Sequence, residues 1–178
     1  MKSSTRTVCK LLSLLLHYPD RELWERLPEL QEVVARMAGG PEKAALEAVL
    51  AAMRHCELTA LQQTYTTAFD LNPGATLNMT HHLYGDSSKR NVALVRLRQT
   101  YDRAGYDCTS PELPDYLPLM LEFLSECRDE DAMTTVWENM GDMKSLSARL
   151  QADAPMYAAL LEAVGEAMDG MRLEEIVR

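Results

Sequence analysis

Apolar residues in this chain recur at spacings of three and four. Val8, Leu11, Leu12, Leu15 and Leu16 follow the pattern i, i+3, i+4, i+7, i+8, which gathers side chains onto one face of a helix and would scatter them over both faces of a strand. Leu46, Val49, Leu50 and Met53 repeat the pattern. So do Leu61, Tyr65, Ala68 and Phe69, and near the end Met156, Leu160, Val164, Met168 and Met171. Alternating Val-Ile-Thr runs with hairpin dipeptides are missing, and Leu, Ala and Met supply much of the apolar content, all good helix formers. The expected fold class is therefore all-α, a helical bundle. A chain of 178 residues is long enough for one core. With no repeat, low-complexity tract or long linker, residues 1–178 are expected to form a single domain.

The breaks between stripes place the helices. Ser4 or Thr5 is expected to cap the first, which Pro19 stops. Asp20 is expected to cap a short turn through Trp24, and Pro28 to open a separate helix that Gly39-Gly40 ends. Asp70-Leu71-Asn72-Pro73-Gly74 reads as a turn, with Gly74 supplying a positive φ. A helix from near Thr76 to Tyr84 should then close on Gly85 in the left-handed position, and Asp86, Ser87 or Ser88 should cap the next through Ala104. A further helix is expected over about Pro114 to Cys127, with Pro118 in its first turn. Asp129-Glu130-Asp131 opens a later region divided at Gly141, and Asp153-Ala154-Pro155 opens the last helix.

A formal net charge of −9 argues against DNA or RNA as ligand, because nucleic-acid affinity comes largely from Lys and Arg neutralising phosphates. A cationic partner fits better. Cys9, Cys56, Cys108 and Cys127 are widely separated, without a C-x-x-C pair, and are expected to be free thiols in a reducing cytoplasm. The apolar run Leu11 to Leu16 is too short to span a membrane.

Two stretches hold the candidate functional residues: 78–90, with His81, His82, Tyr84, Asp86 and Arg90, and 112–122, with Asp115, Tyr116, Leu119 and Glu122. Adjacent residues on a helix point about 100° apart, so His81 and His82 cannot readily share a metal ion. No H-E-x-x-H or E-x-x-H spacing supports a metal centre either. Ser87 and Ser88 stand at a helix start rather than in a G-x-S-x-G elbow, and Gly39-Gly40 lacks the lysine of a phosphate loop. The competing enzymatic reading is a small metal-dependent hydrolase using His81 or His82 with Asp86, Asp115 and Glu122. Against both stands a plain structural role, with Asp86 and Asp115 each serving as an N-cap. The two prolines that bracket Asp115-Tyr116-Leu117 make a stiff turn, which suits a preorganised binding edge.

At these residues the chain resembles the NarJ-type molybdoenzyme assembly chaperones, relatives of the TorD and DmsD redox-enzyme maturation proteins. The resemblance is carried by Leu15-Leu16-His17-Tyr18-Pro19-Asp20, Phe69-Asp70, His82-Leu83-Tyr84-Gly85-Asp86 with Arg90, and Glu112-Leu113-Pro114-Asp115-Tyr116-Leu117-Pro118 with Leu121-Glu122-Phe123-Leu124. It spans about residues 11 to 127. It implies an all-helical fold, no catalysis and no cofactor of its own. It also implies binding of the N-terminal peptide of an apo molybdoenzyme catalytic subunit, in the NarJ branch that of respiratory nitrate reductase, until molybdenum cofactor and iron-sulfur clusters are inserted; related members hold back twin-arginine leader peptides. The client peptide is often basic and amphipathic. On this chain Tyr65, Phe69, His82, Tyr84, Asp86, Arg90, Asp115, Tyr116, Leu119 and Glu122 are the expected peptide-binding residues, acids selecting charge and rings supplying burial. Several relatives carry Asp-His where this chain has Asp115-Tyr116, and its tail is shorter than in many NarJ-type proteins. Exchange of helices at 70–74 or 105–110 would allow a homodimer.

Overall fold

A computed structural model describes residues 3–176. Among them are ten α-helices: α1 (Ser3–Leu16), α2 (Arg21–Ala35), α3 (Pro41–Arg54), α4 (Leu58–Tyr65), α5 (Met79–Tyr84), α6 (Ser88–Arg103), α7 (Leu117–Glu126), α8 (Glu130–Trp137), α9 (Met143–Leu150) and α10 (Pro155–Ile176). The described residues contain no strand, only an isolated antiparallel bridge between Asn78 and Tyr116.

The stripes read from the sequence are the buried faces. All five stripe residues of α1 are buried, as are Leu46, Val49, Leu50 and Met53 of α3. At about 1.5–3 kcal/mol for each fully buried aliphatic side chain, such a face outweighs the propensity terms of a helix this short. α1 lies along α7 and against α10, and α10 also carries α3 and α9. α2 covers α3, while α5 packs on α6 and α6 on α8. One continuous apolar cluster runs through these elements from Val8 to Met171. Within it Ser13 donates to the Pro118 carbonyl at 2.8 Å and ties the middle of α1 to the start of α7. No helix among the described residues is long and apolar enough to cross a membrane, and the four cysteines are free thiols.

Several local expectations are corrected. Asp20 caps a single helix, accepting from Leu23 N at 2.8 Å, and Pro28 lies inside it instead of opening a new one. The lost backbone bond is outweighed because Leu27, Leu30 and Val34 bury one face across the proline. Ser4 and Thr5 fall within α1. Gly74 is not among the glycines with positive φ; those are Gly85, Gly105 and Gly141. There Asn72 closes the turn by accepting from Gly74 N, so no left-handed residue is required. Gly85 has φ 54° but ψ −146°, outside the left-handed helical well and open only to glycine. Ser87 occupies the N-cap position of α6 without a side-chain cap bond, and Asp86 makes none.

Candidate functional site

The middle of the chain leaves helical geometry twice, and both departures shape one cleft. After α4 the backbone widens into a π-turn over Thr66–Asp70, closed by Leu71 N donating to the Thr66 carbonyl at 2.9 Å. The extra residue keeps Phe69 in the core while Asp70, its neighbour, stays exposed. On the other side, Pro114 and Pro118 delay α7 until Leu117, and the extended Tyr116 just before it forms the isolated antiparallel bridge with Asn78. Leu117 N donates to the Leu77 carbonyl at 2.8 Å and Met79 N to the Asp115 carbonyl at 2.9 Å.

Between these walls opens a cleft of about 240 Å³. Its apolar side is formed by Tyr18, Tyr65, Phe69, Leu77 and Tyr116, and its polar rim by Asp70, Thr76, Asn78 and Glu112. Among the described residues no Lys, Arg or His lines it, and both rim acids are exposed. The rings lock one another edge to face: Tyr65 meets Tyr18 at 5.5 Å, Phe69 at 4.9 Å and Tyr157 at 5.6 Å between centroids, and His17 backs Tyr116 at 5.7 Å. Tyr65 donates its hydroxyl to the Leu16 carbonyl at 3.2 Å, which leaves Tyr116 as donor in the 3.0 Å bond between the two phenols. Burial pushes the Tyr116 phenol up to about 12 and that of Tyr65 higher still, so both rings are neutral at any ordinary pH.

Asp115 faces away from this cleft. It is fully buried, and its carboxylate accepts from Thr80 N at 3.1 Å, from the Thr80 hydroxyl, and from Asn78 Nδ2 at 3.2 Å. Arg90 Nη2 lies 3.7 Å from it, and Arg90 Nε donates to the Thr80 hydroxyl. Asn78 stands at the N-cap of α5 but makes no side-chain cap bond. The orphan N–H groups of Met79 and Thr80 are instead satisfied by the Asp115 carbonyl and carboxylate. Asp115 is thus an N-cap of α5, not of its own helix, and acts across 35 residues of sequence.

The other expected residues are dispersed. Glu122 and Leu119 border a second hollow of about 300 Å³ floored by Tyr101 and Phe123, and Glu122 is held by Lys10 Nζ at 2.6 Å. Tyr84 ends α5 half-buried, and the Asp86 side chain, 88% exposed, lies 3.7 Å from His81. His82 Nε2 donates to the Thr76 carbonyl at 2.7 Å, which positions the cleft rim from behind. The hydrolase arrangement is not assembled. His81 and His82 stand 6.0 Å apart ring to ring, Asp115 is sealed against Thr80 and Arg90, and the described residues hold no group of three His, Cys, Asp or Glu able to bind a metal. The cleft residues that the sequence reading passed over are Tyr18, Asp70, Thr76, Leu77, Asn78 and Glu112. Tyr18, Asp70 and Glu112 sat inside the quoted motifs, and the break at Tyr18-Pro19 and the acid directly after Phe69 were the available signals.

His82 and His17 carry a pH prediction. Burial is the main cause that lowers the pKa of each ring below its ordinary value of 6.5. The unfolded chain therefore binds more protons just below pH 6.5 than the folded one, so stability is full above that value and declines as pH falls through the folded pKa values. Urea unfolding between about pH 7 and pH 5 should show this decline, and His82→Gln should flatten it; an unchanged slope in the variant would remove His82 from the account.

The chain belongs to the nitrate reductase delta subunit family, whose profile matches residues 20–162. It is a chaperone of the NarJ type, not an enzyme. It is 30% identical over 166 residues to the probable nitrate reductase molybdenum cofactor assembly chaperone NarJ of Bacillus subtilis (strain 168), covering 93% of this chain and 90% of that one. To the nitrate reductase molybdenum cofactor assembly chaperone NarJ of Escherichia coli (strain K12) it is 32% identical over 154 residues, 85% of this chain and 65% of the relative. The probable chaperone NarW of the same organism is 31% identical over 169 residues, 90% of this chain and 69% of that one.

Proposed function

We propose that this protein is a cytoplasmic assembly chaperone for a molybdoenzyme, most simply the catalytic subunit of a respiratory nitrate reductase, and that it holds the basic N-terminal peptide of that apo subunit in the cleft between Tyr65, Phe69 and Tyr116 while molybdenum cofactor and iron-sulfur clusters are inserted. The observation that carries this reading is the composition of the cleft: fixed aromatic rings below, two exposed carboxylates at the rim, and no cation among its lining residues. Such a surface rewards a segment with apolar side chains to bury and positive charge to place beside Asp70 and Glu112. The names of the relatives support the client. Calorimetric titration with the N-terminal peptide of a nitrate reductase catalytic subunit from the same organism tests it. Binding should weaken when the peptide's Lys and Arg are replaced by Gln, and absence of heat at the highest soluble concentration would refute the reading.

A further inference from the structure

The cleft between Tyr65, Phe69 and Tyr116 is one-sided in its hydrogen bonding as well as in its charge. Most of its side-chain donors already point at protein acceptors: the Thr76 hydroxyl at Asn78 Oδ1, Asn78 Nδ2 at Asp115, the Tyr65 hydroxyl at the Leu16 carbonyl and the Tyr116 hydroxyl at Tyr65. The second amide proton of Asn78 and the hydroxyl of Tyr18 are the side-chain donors left over. Acceptor capacity, by contrast, is open. A phenol that donates keeps its own lone pairs, so Tyr116 Oη can take a bond from inside the cleft. Asp70 and Glu112 make no ion pair and no side-chain hydrogen bond among the described residues.

Such a lining suits a group that brings donors alone. Hydroxyls and amides bring acceptors with their donors, whereas ammonium and guanidinium groups bring none. Between the two cations the walls decide. An ammonium is a compact, strongly hydrated charge, poorly placed against four aromatic rings; a guanidinium is flat, more weakly hydrated, stacks on rings and presents its N–H groups in a fork that matches a carboxylate. At about 240 Å³ the cleft is smaller than the pockets that engulf a whole small molecule, so it admits one side chain and leaves the peptide backbone at its mouth. The mouth is apolar. Leu71, 74% exposed, and Leu113, 44% exposed, directly follow the rim acids Asp70 and Glu112, and Tyr18 is 45% exposed. These three are among the eight large exposed apolar side chains of the described residues, and they offer burial to the residues on either side of an inserted cation.

We infer, building on the peptide reading of this cleft, that it is a receptacle for a single arginine side chain presented between large apolar residues, and that Tyr116 Oη together with the carboxylates of Asp70 and Glu112 selects arginine over lysine. Tyr116 is then a specificity residue through its oxygen as well as its ring. The bond that it gives to Tyr65 fixes the direction of that oxygen before any ligand arrives.

The probes are N-acetyl-arginine amide, N-acetyl-lysine amide and the uncharged N-acetyl-citrulline amide, titrated into nitrogen-15-labelled full-length protein. The arginine compound should shift the amides of residues 70, 76–78, 112 and 116, the lysine compound should bind roughly fivefold more weakly, and the citrulline compound should give no shifts. Tyr116→Phe keeps the ring and removes the oxygen, and should weaken the arginine compound by roughly tenfold and the lysine compound by less. Tyr65 still donates to Leu16 in that variant, so its melting curve should stay cooperative; if it unfolds, the three compounds on the wild type decide alone. Equal affinity for arginine and lysine, shifts from citrulline as large as those from arginine, or shifts centred outside the cleft would overturn the inference even where the client peptide binds, and would leave the peptide reading standing. An arginine compound that binds in the cleft beside a client peptide that gives no heat would uphold the pocket and retire the peptide reading.

Discussion

Replacing Asp115 with alanine is expected to destabilise the protein by about 3–5 kcal/mol, the range for removing one partner of a buried ion pair. The substitution strands Arg90, which is itself only 19% exposed, and uncaps the Thr80 N–H in a fully buried setting. For a domain of this size the loss amounts to about 10 °C in melting temperature, measurable by circular dichroism. Arg90→Met in the Asp115→Ala background should recover part of it, because the double variant leaves no unpaired charge behind. A single-variant loss within about 0.5 kcal/mol, the range of ordinary surface substitutions, would mean that the carboxylate caps nothing. Any weakening of peptide binding in Asp115→Ala should track this loss of structure.

Reversing the rim charge should have the largest effect on binding. Each exposed carboxylate beside a peptide cation contributes up to about 1 kcal/mol, and a lysine in its place substitutes repulsion for attraction. Asp70→Lys with Glu112→Lys is therefore expected to weaken a basic client peptide by roughly 100-fold, or about 3 kcal/mol, with the deficit shrinking as salt is added. The melting temperature should stay near the wild-type value, since neither residue is buried. Asp86→Lys and Glu122→Gln serve as controls and should change the affinity by no more than about twofold, because Asp86 lies outside the cleft and Glu122 borders the other hollow. Calorimetry on the four proteins decides the matter. An unaltered affinity in the double reversal would place the peptide elsewhere.

The helices were legible because their signal is local: the stripes of α1 and α3 repeat within one or two turns, α3 begins at the Gly40-Pro41 break and α6 ends close to Gly105. Pro28 misled because a proline mid-helix is tolerated when the apolar face continues across it, and face continuity is a tertiary matter. Tyr65, Phe69 and Tyr116 were named together with Tyr84 and six other residues, and these three are the ones that line one cleft. Asp115 was named as a peptide-binding residue with an N-cap as its plain structural role, but that it caps α5 was not legible, because nothing nearby reveals a partner 35 positions away. Leu119 and Glu122 follow Tyr116 by three and six residues, and the turn of α7 carries them to a different hollow from the one that Tyr116 lines. The rim acids Asp70 and Glu112 stand out only once a π-turn and a proline-delayed helix bring residues 70 and 112 to the same opening.

The cap that Asp115 places on α5 also sets an order of assembly. A helix of six residues has too few internal bonds to repay its own nucleation, and the acceptors for its first N–H groups arrive only with residue 115. While the ribosome has released no more than α6, the segment from Asn78 to Tyr84 has neither its cap nor its bridge to Tyr116. The cleft that Glu112 and Tyr116 line is therefore complete only when the lead-in to α7 docks. On the proposed function, a nascent chain that ends before residue 115 should therefore fail to bind a client peptide that the full-length protein binds.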